Sequence, residues 1–527
     1  MNPFARCFAA AALCSLTLHP PELNSQVLQA GAAAQLAGPV REPHTLTYAP
    51  GRSITLSLPA NLDINVAASG LRRVRFMAQS PDGPGVPGQL AGWGGGRIFA
   101  TGMYNLADNT RGSIFILDGW NAKTHRFTRV IHYLDHLRNP NNLAFWTDPT
   151  TRQTWLYLPL TDKLVRYRYN PGDNAPTAPP ETLIRFPDYG LNYKYGGWHL
   201  TRTVAIADLH GRTRVYISAG SSCNYCQERE VLRAAVVSMN PDGSDQRLVA
   251  QGLRNAVDLR FVPYLDGGAL FATNMGDDHL GDKLPEDTFF ELDSNAHTGP
   301  IARPIASPPP NYGWPTCYFA SGKPVHDTTP LPEMPPPGDL TTESERPPDA
   351  GVPSHGVDPQ HPQKQNPSLA ASNNSADSIY GEQSANITAA GTNLVAQNRG
   401  ADPNASLGAV PHPLTSCERV PAAYTTFAAH SSPLGLAYFG PDNPTLHSAF
   451  LVALHGAGHP RIGTGYRVVQ FTPTDRTPHP FITGFLTTTG GKPVVHGRPC
   501  GILRLGPDTF LLTDDFLGLV YYVHPKS

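Results

Sequence analysis

The sequence predicts an all-β chain folded as a six-bladed β-propeller with one long low-complexity insertion. Three observations predict it. Six weakly similar modules recur along the chain, each an apolar strand, a turn and a second strand. Further strand-like runs lie between them. Gly (49) and Pro (54) together approach one residue in five of 527, as suits a chain with many turns.

The modules are read as follows. Leu71 to Phe76 leads to Arg97–Thr101, and Arg138 through Phe145 leads to Trp155–Leu158. His199 through Ile206 leads to Val215–Ser218, and Arg254 through Phe261 leads to Leu270–Thr273. Ser432 through Tyr438 leads to Phe450–Val452, and Arg498 through Leu503 leads to Phe510–Thr513. Starts at 70, 138, 199, 254, 433 and 498 are separated by 68, 61, 55, 179 and 65 residues. Four intervals match a four-stranded blade with its loops. The long one matches a blade plus roughly a hundred inserted residues. Gly112–Leu117, Leu164–Tyr169, Ala234–Met239 and Tyr466–Phe471 supply further strands, alternating or rich in β-branched and aromatic residues. Two β-sandwiches are the alternative; six similar modules favour radial closure, which protects strand edges.

The domain reading is a leader and linker at 1–34 and one propeller at 35–527, interrupted by an insert at 319–416. The insert is rich in Pro, Ser, Asn, Asp and Gly, as in Pro335-Pro336-Pro337 and Ser372-Asn373-Asn374-Ser375. Such a composition buries too little apolar surface to offset its ordering entropy. At the N-terminus, Arg6 precedes the apolar stretch Phe8–Leu18, too short to span a bilayer, and small residues around Gly31–Ala34 offer cleavage sites. This reads as an export signal, against the alternative of a disordered terminus, and places the protein in the periplasm or outside the cell. No later stretch is apolar and long enough to cross a membrane as a helix. Formal net charge is −2, with Lys+Arg 40 against Asp+Glu 42, which argues against nucleic acid as a partner.

Of seven cysteines, Cys7 and Cys14 leave with the signal. In an oxidising compartment the simplest pairing of the rest is Cys223–Cys226 and Cys317–Cys417, leaving Cys500 over. Half of a zinc site is the alternative for the C-x-x-C pair, but no second C-x-x-C or H-x-x-x-H accompanies it.

In a propeller, loops at one end of the axis converge. These loops would carry Tyr104, Asn105, Asp162, Ser221, Ser222, Gly276–Asp278, His455, Asp514 and Asp515, joined by the module starts His199, Arg254, Asn255 and Arg498. A His, two Arg, an Asn and several carboxylates make an anionic-ligand or cofactor site, against the plain alternative of turn residues and solvated charges.

The segment Gly196-Gly197-Trp198-His199-Leu200-Thr201-Arg202-Thr203 resembles the catalytic-histidine segment of the soluble quinoprotein glucose/sorbosone dehydrogenases. Gly220-Ser221-Ser222-Cys223-Asn224-Tyr225-Cys226 is similar to the sorbosone-type branch. Gly252–Asn255, Gly276–Asp282, Asn311–Pro315, His430–Leu436, Gly465–Val469 and Gly497–Pro499 continue the series in order, from about Leu58 to the C-terminus without the insert. The resemblance implies oxidation of an aldose or sorbosone-like sugar by pyrroloquinoline quinone (PQQ), with electrons passed to an external acceptor, a cytochrome or a quinone. It implies His199 as general base, Arg254 against the quinone oxygens, and Asn255, Arg498, Tyr312 and Trp314 around cofactor or sugar. It further implies Ca²⁺ held by the backbone carbonyls of Gly276 and Asp277. Acidic surface turns are the alternative reading of Asp277, Asp278 and Asp282. Two positions depart from the family. His455 stands near the position of a cofactor-facing lysine, and Ala256-Val257-Asp258 follows Arg254-Asn255 in place of the usual Pro and Gly. A Ca²⁺-dependent sugar lactonase and a non-catalytic glycan- or protein-binding propeller are the competing functions. The paired Arg254 and Arg498 speak against the first, and His199 against the second.

Overall fold

The computed structural model describes residues 40–82, 96–187, 199–209, 212–263, 265, 268–292, 309–332, 407 and 413–526. The expected leader at 1–34 lies outside them. Of the expected insert at 319–416, only 319–332, 407 and 413–416 are described.

The chain is a six-bladed β-propeller of four-stranded antiparallel sheets. Blade one comprises Val74–Gln79, Ile98–Gly102, Gly112–Asn121 and Arg126–Leu137. Blade two comprises Ala144–Thr147, Thr154–Leu160, Lys163–Tyr169 and Glu181–Arg185. Blade three comprises Arg202–Leu209, Arg212–Ala219, Ala235–Met239 and Arg247–Gln251. Blade four comprises Ala256–Val262, Ala269–Asn274, Asp287–Leu292 and, beyond the insert, Thr425–Phe427. Blade five comprises Pro433–Phe439, Ala449–Leu454, Arg467–Phe471 and His479–Ile482. Blade six joins three C-terminal strands, Pro499–Gly506, Thr509–Asp514 and Leu519–Pro525, to Leu62–Ala68, which follows the N-terminal hairpin of Arg41–Ala49 and Arg52–Pro59. The ring is thus closed by pairing strands that lie far apart in the sequence.

The first strands of the blades contact one another in a closed cycle from blade one to blade six and back, so they line the axis. Second strands are buried along nearly their whole length, as in Thr154–Leu160 (TWLYLPL) and Ala449–Leu454 (AFLVAL). Continuous apolar runs are what a strand needs when neighbouring blades cover both its faces. Outer strands such as Glu181–Arg185 are mostly exposed and polar.

Blade junctions are stitched by hydroxyls. Thr101, Thr161, Ser218, Thr273 and Thr513 stand in, or just after, second strands. They donate to the carbonyls of Asn141, Leu200, Ala256, Leu434 and Arg75 in the following blade. The junction of blades five and six uses close approach instead: a Cβ on Gly435 would stand 2.4 Å from the Cys500 carbonyl oxygen.

The axis is filled. Phe76, Val257, Met275, Leu434 and the unpaired Cys500 form an apolar plug. Beside it runs a polar chain. Arg75 donates to Asp515 (2.9 Å) and to Asn141 Oδ1 (3.2 Å), and Asn141 Nδ2 donates to Thr203 Oγ1 (2.9 Å). A chemical site must therefore lie at one mouth of the axis.

Both expected disulfides form, Cys223–Cys226 and Cys317–Cys417. The first described residues of the expected insert are not a low-complexity excursion. Cys317–Ala320 and Lys323–His326 make a β-hairpin. Phe319 is buried in the core between blades three and four, because this edge of the insert carries apolar side chains.

Candidate functional site

In each blade the approach to the first strand and the turn from second to third strand lie at the same end. The hairpin registers Val74↔Gly102, Ala256↔Asn274 and Pro499↔Asp514 show this alignment. This mouth gathers Arg73, His199, Arg254, Asn255 and Arg498 from blade entries. It also gathers Ser221, Asn224, Gly276–Asp278, His455, Asp514 and Asp515 from turns.

His199, Asn255 and the Ser221 turn meet around Gly220. A Cβ at Gly220 would lie 2.5 Å from His199 Cβ and 2.7 Å from Asn255 Oδ1, so only glycine lets them converge. His199 is buried and left-handed (φ 45). That conformation is uncommon for a non-glycine residue and concentrates at functional positions. Its Nδ1 lies 3.0 Å from the Ser221 carbonyl, a pure acceptor, while the Ser221 hydroxyl donates to the Cys223 carbonyl at 2.6 Å. Nδ1 therefore carries the hydrogen, and in the neutral ring Nε2 is the basic nitrogen.

Arg254 is buried and held on three sides. Nε donates to the Asn224 carbonyl (3.0 Å), Nη1 to the Gly276 carbonyl (2.6 Å), and Nη2 to Asn224 Oδ1 and to Asp278 (3.2 Å). Asp278 is shared with His430 (3.1 Å), and this hydrogen bond leads the influences that raise the His430 pKa. Gly276 N donates to buried Asp287, which also accepts from Ser432 N, tying the blade-four turn to blade five.

Arg498 differs from Arg254 in its partners. Its Nη1 donates to the Gly456 carbonyl (2.9 Å), and Nη2 to the Ala457 carbonyl (3.1 Å) and the Tyr466 hydroxyl (3.0 Å). The guanidinium lies over the Tyr466 ring at 4.7 Å. Among the described residues no carboxylate pairs with this half-buried cation. The nearby Asp514 instead accepts the backbone N–H groups of Arg498, Phe516 and Leu517, and burial pushes its pKa up to about 7.

His455 donates from Nε2 to Asp515 Oδ1 at 2.7 Å. Burial lowers its pKa to about 4, despite Asp515, with help from Arg498 and Arg75. Burial alone would raise the Asp515 pKa, but His455, Arg75 and Arg73 together hold it well below the carboxylate range. With Arg75 directly on its second oxygen, Asp515 stays ionised beside a neutral imidazole. The position expected to stand in for a cofactor-facing lysine thus carries no cation at neutral pH.

The pH dependence of stability follows from the sign of the His455 shift. The folded pKa lies below the ordinary 6.5, so this contribution is complete above pH 6.5 and is lost as pH falls toward 4. It is worth about 3 kcal/mol. His455→Gln is expected to narrow the drop in thermal midpoint between pH 7 and pH 4.5. A drop as large as that of the parent protein rejects the assignment.

The remaining expected site residues lie elsewhere. Tyr312 is packed edge-on against Phe290 (4.8 Å) in the core with Cys317 and Phe319. Trp314 packs on Cys223, Cys226 and Ala234 and donates from Nε1 to the Asn224 carbonyl (3.1 Å). Trp314 thereby buttresses the Asn224 turn that grips Arg254. Gly196–Trp198 lie outside the described residues. Of the expected Gly276–Asp277 carbonyl pair, the Gly276 half does not fit a Ca²⁺ site in this arrangement. The Gly276 carbonyl is engaged by a guanidinium, and the Asp277 carboxylate lies 2.8 Å from His279 Nδ1. The anion-binding donors do fit a polycarboxylate quinone: Arg498 lacks a carboxylate among the described residues, and buried Asn224 Nδ2 has no hydrogen-bond partner.

Sequence reasoning passed over Asn224, Arg75, Asn141 and the pairing of His455 with Asp515. The C-N-Y-C spacing was the one local signal for Asn224.

No family model matches the chain, and no curated protein sequence matches it. Solved structures do. The holo form of the pyranose dehydrogenase PQQ domain from Coprinopsis cinerea is 16% identical, with 89% of this chain and 97% of that chain covered and a TM-score of 0.52. Iodide and calcium structures of a family AA12 carbohydrate-active enzyme from Trichoderma reesei are 14% and 13% identical. They cover 89% of this chain and 97% and 96% of theirs, both with a TM-score of 0.52. At these identities the likeness is one of fold, and the fold shared is the six-bladed propeller.

Proposed function

We propose that the chain is an exported PQQ-dependent dehydrogenase of an aldose or sorbosone-like sugar, a single propeller over 35–527 that passes electrons to an external cytochrome or quinone. The observation that carries this reading is Arg498, a half-buried guanidinium at the mouth with only neutral acceptors among the described residues. Such a cation calls for an anionic ligand. The motifs read in the sequence, and the PQQ domain named among the structural neighbours, point to the same ligand. The two disulfides suit secretion or the periplasm.

When bound, PQQ supplies the acceptor for the hydride leaving the sugar carbon. The protein's own residues bind, orient and move the proton. Arg498 pairs with a carboxylate through its planar fork. Arg254, fixed by Asn224, Gly276 and Asp278, presents positive charge without reorganising. Asn255 hydrogen-bonds the ligand. His199 Nε2 accepts the proton of the sugar hydroxyl, with Nδ1–H anchored on the Ser221 carbonyl. No step is derived through Ca²⁺.

The test is a titration of purified apo-protein with PQQ, followed by tryptophan fluorescence, and then a dye-linked screen of aldoses. Saturable binding is expected, weakened about 10- to 100-fold in Arg498→Ala. Failure of the unsubstituted protein to bind PQQ overturns the reading.

A further inference from the structure

We propose that Asn224 is a ligand-contacting residue, donating from Nδ2 to an oxygen of the anionic cofactor, and that the Cys223–Cys226 bridge exists at this place to hold it. The inference rests on the PQQ reading above and adds to it a residue and a donor.

The orientation of the Asn224 carboxamide is fixed by its neighbours. Oδ1 accepts from Arg254 Nη2 and from Asp278 N (3.0 Å). Turning the amide over would set its NH₂ against two donors, so Nδ2 is the other edge. That edge is buried and has no hydrogen-bond partner, although only 2% of the residue is exposed. Buried polar groups are nearly always satisfied, and beside a cation at the mouth of the axis a ligand oxygen is the partner that fits this exception. The place is specific. The Asn224 carbonyl accepts from Arg254 Nε and Trp314 Nε1, so the residue grips the guanidinium by both main chain and side chain. Asn224 Nδ2 and the Arg254 guanidinium thus offer donors side by side, the arrangement that recognises an oxygen-rich anion.

The turn around Asn224 is built to be stiff. Cys223 and Cys226 are bridged and buried, and Trp314 and Ala234 pack on them. Ser221 Oγ donates to the Cys223 carbonyl, and Glu228 accepts from Ser222 N and Oγ (both 2.6 Å). The same turn therefore sets His199 through Ser221 and Arg254 through Asn224.

The experiment compares Asn224→Asp and Asn224→Ser with the parent protein. Asp keeps the shape and the acceptor for Arg254 and Asp278 N, but removes the donor. Ser is neutral and too short to donate at the same place. PQQ dissociation constants are measured by tryptophan fluorescence at low and high salt, with thermal unfolding as the check on folding. The expected result is a loss of about 10- to 100-fold in both variants, persisting for Asp at high salt, with the Asp variant unfolding like the parent. If only the Ser variant weakens, Asn224 merely positions Arg254, and the contact is rejected. If only the Asp variant weakens, or its loss vanishes in salt, charge repulsion accounts for it, and the contact is again rejected. Parent protein that binds no PQQ rejects the cofactor reading and this inference with it. Binding by the parent, unchanged in both variants, rejects this inference alone.

Discussion

Replacing His199 with alanine is expected to lower sugar-oxidation turnover by about 10²- to 10⁴-fold at saturating PQQ, the usual contribution of a positioned general base. PQQ affinity should stay within a few-fold of the parent value. The split follows from the arrangement of the mouth. Arg254 is held by Asn224, Gly276 and Asp278, and Arg498 by Gly456, Ala457 and Tyr466, so neither depends on the His199 ring. Arg498→Ala should show the opposite pattern, losing affinity first and recovering much of its rate at high PQQ. Because His199 has φ 45, alanine adds backbone strain there, and His199→Asn is the companion variant, since asparagine enters the left-handed region more readily. Stopped-flow reduction of the quinone reads the step directly. Turnover at the parent level in both variants removes His199 from the chemistry. His455 would then be the next candidate, with Nε2–H committed to Asp515 and Nδ1 as its basic nitrogen.

Removing the Cys317–Cys417 bridge by a double serine replacement is expected to cost about 3–5 kcal/mol of stability. The bridge spans a sequence separation of 100, and a closed loop of that size removes much conformational freedom from the unfolded chain. It also lies in packed surroundings. Cys317 and Cys417 belong to the core of blades three and four with Tyr312, Phe319 and Val420. Beyond the bridge, Tyr424 N donates to the Phe289 carbonyl and Thr425–Phe427 completes blade four. The loss should appear as a lowered guanidinium midpoint, after peptide mapping has confirmed the linkage in the parent. An unchanged midpoint would show that packing alone returns the chain to blade four.

The blades were legible because each begins with a local pattern. The six expected module starts fall just before, or at, the first strands beginning at Val74, Ala144, Arg202, Ala256, Pro433 and Pro499. The strand Leu62–Ala68 was not assigned to a blade. Nothing near it signals a partner in Leu519–Pro525, since that pairing is wholly non-local. The same distinction separates the site residues. His199, Arg254, Asn255 and Arg498 stand at blade entries, where position follows from the repeat. Asn224, Asp515 and Arg75 act through hydrogen bonds between turns or between blades, which no window of sequence displays. Tyr312 and Trp314 were expected near cofactor or sugar from the resemblance of Asn311–Pro315 to its family motif. The partners the structure gives them are packing ones: Phe290, Cys317 and Phe319 for Tyr312, and Cys223, Cys226 and Ala234 for Trp314.

Closing the ring with strands from early and late in the chain sets a timetable for biosynthesis. Asn65 of Leu62–Ala68 bonds His524 of Leu519–Pro525 across a separation of 459 positions. At about 5–20 residues per second, a ribosome needs roughly half a minute or more to make that stretch. Throughout that interval blade six has no inner three strands, and Leu62–Ala68 is an edge without a mate. Its alternating Asp63 and Asn65 are the sort of polar interruption that keeps a waiting strand from pairing with another chain. The propeller can become a ring only after Leu519–Pro525 has emerged from the ribosome.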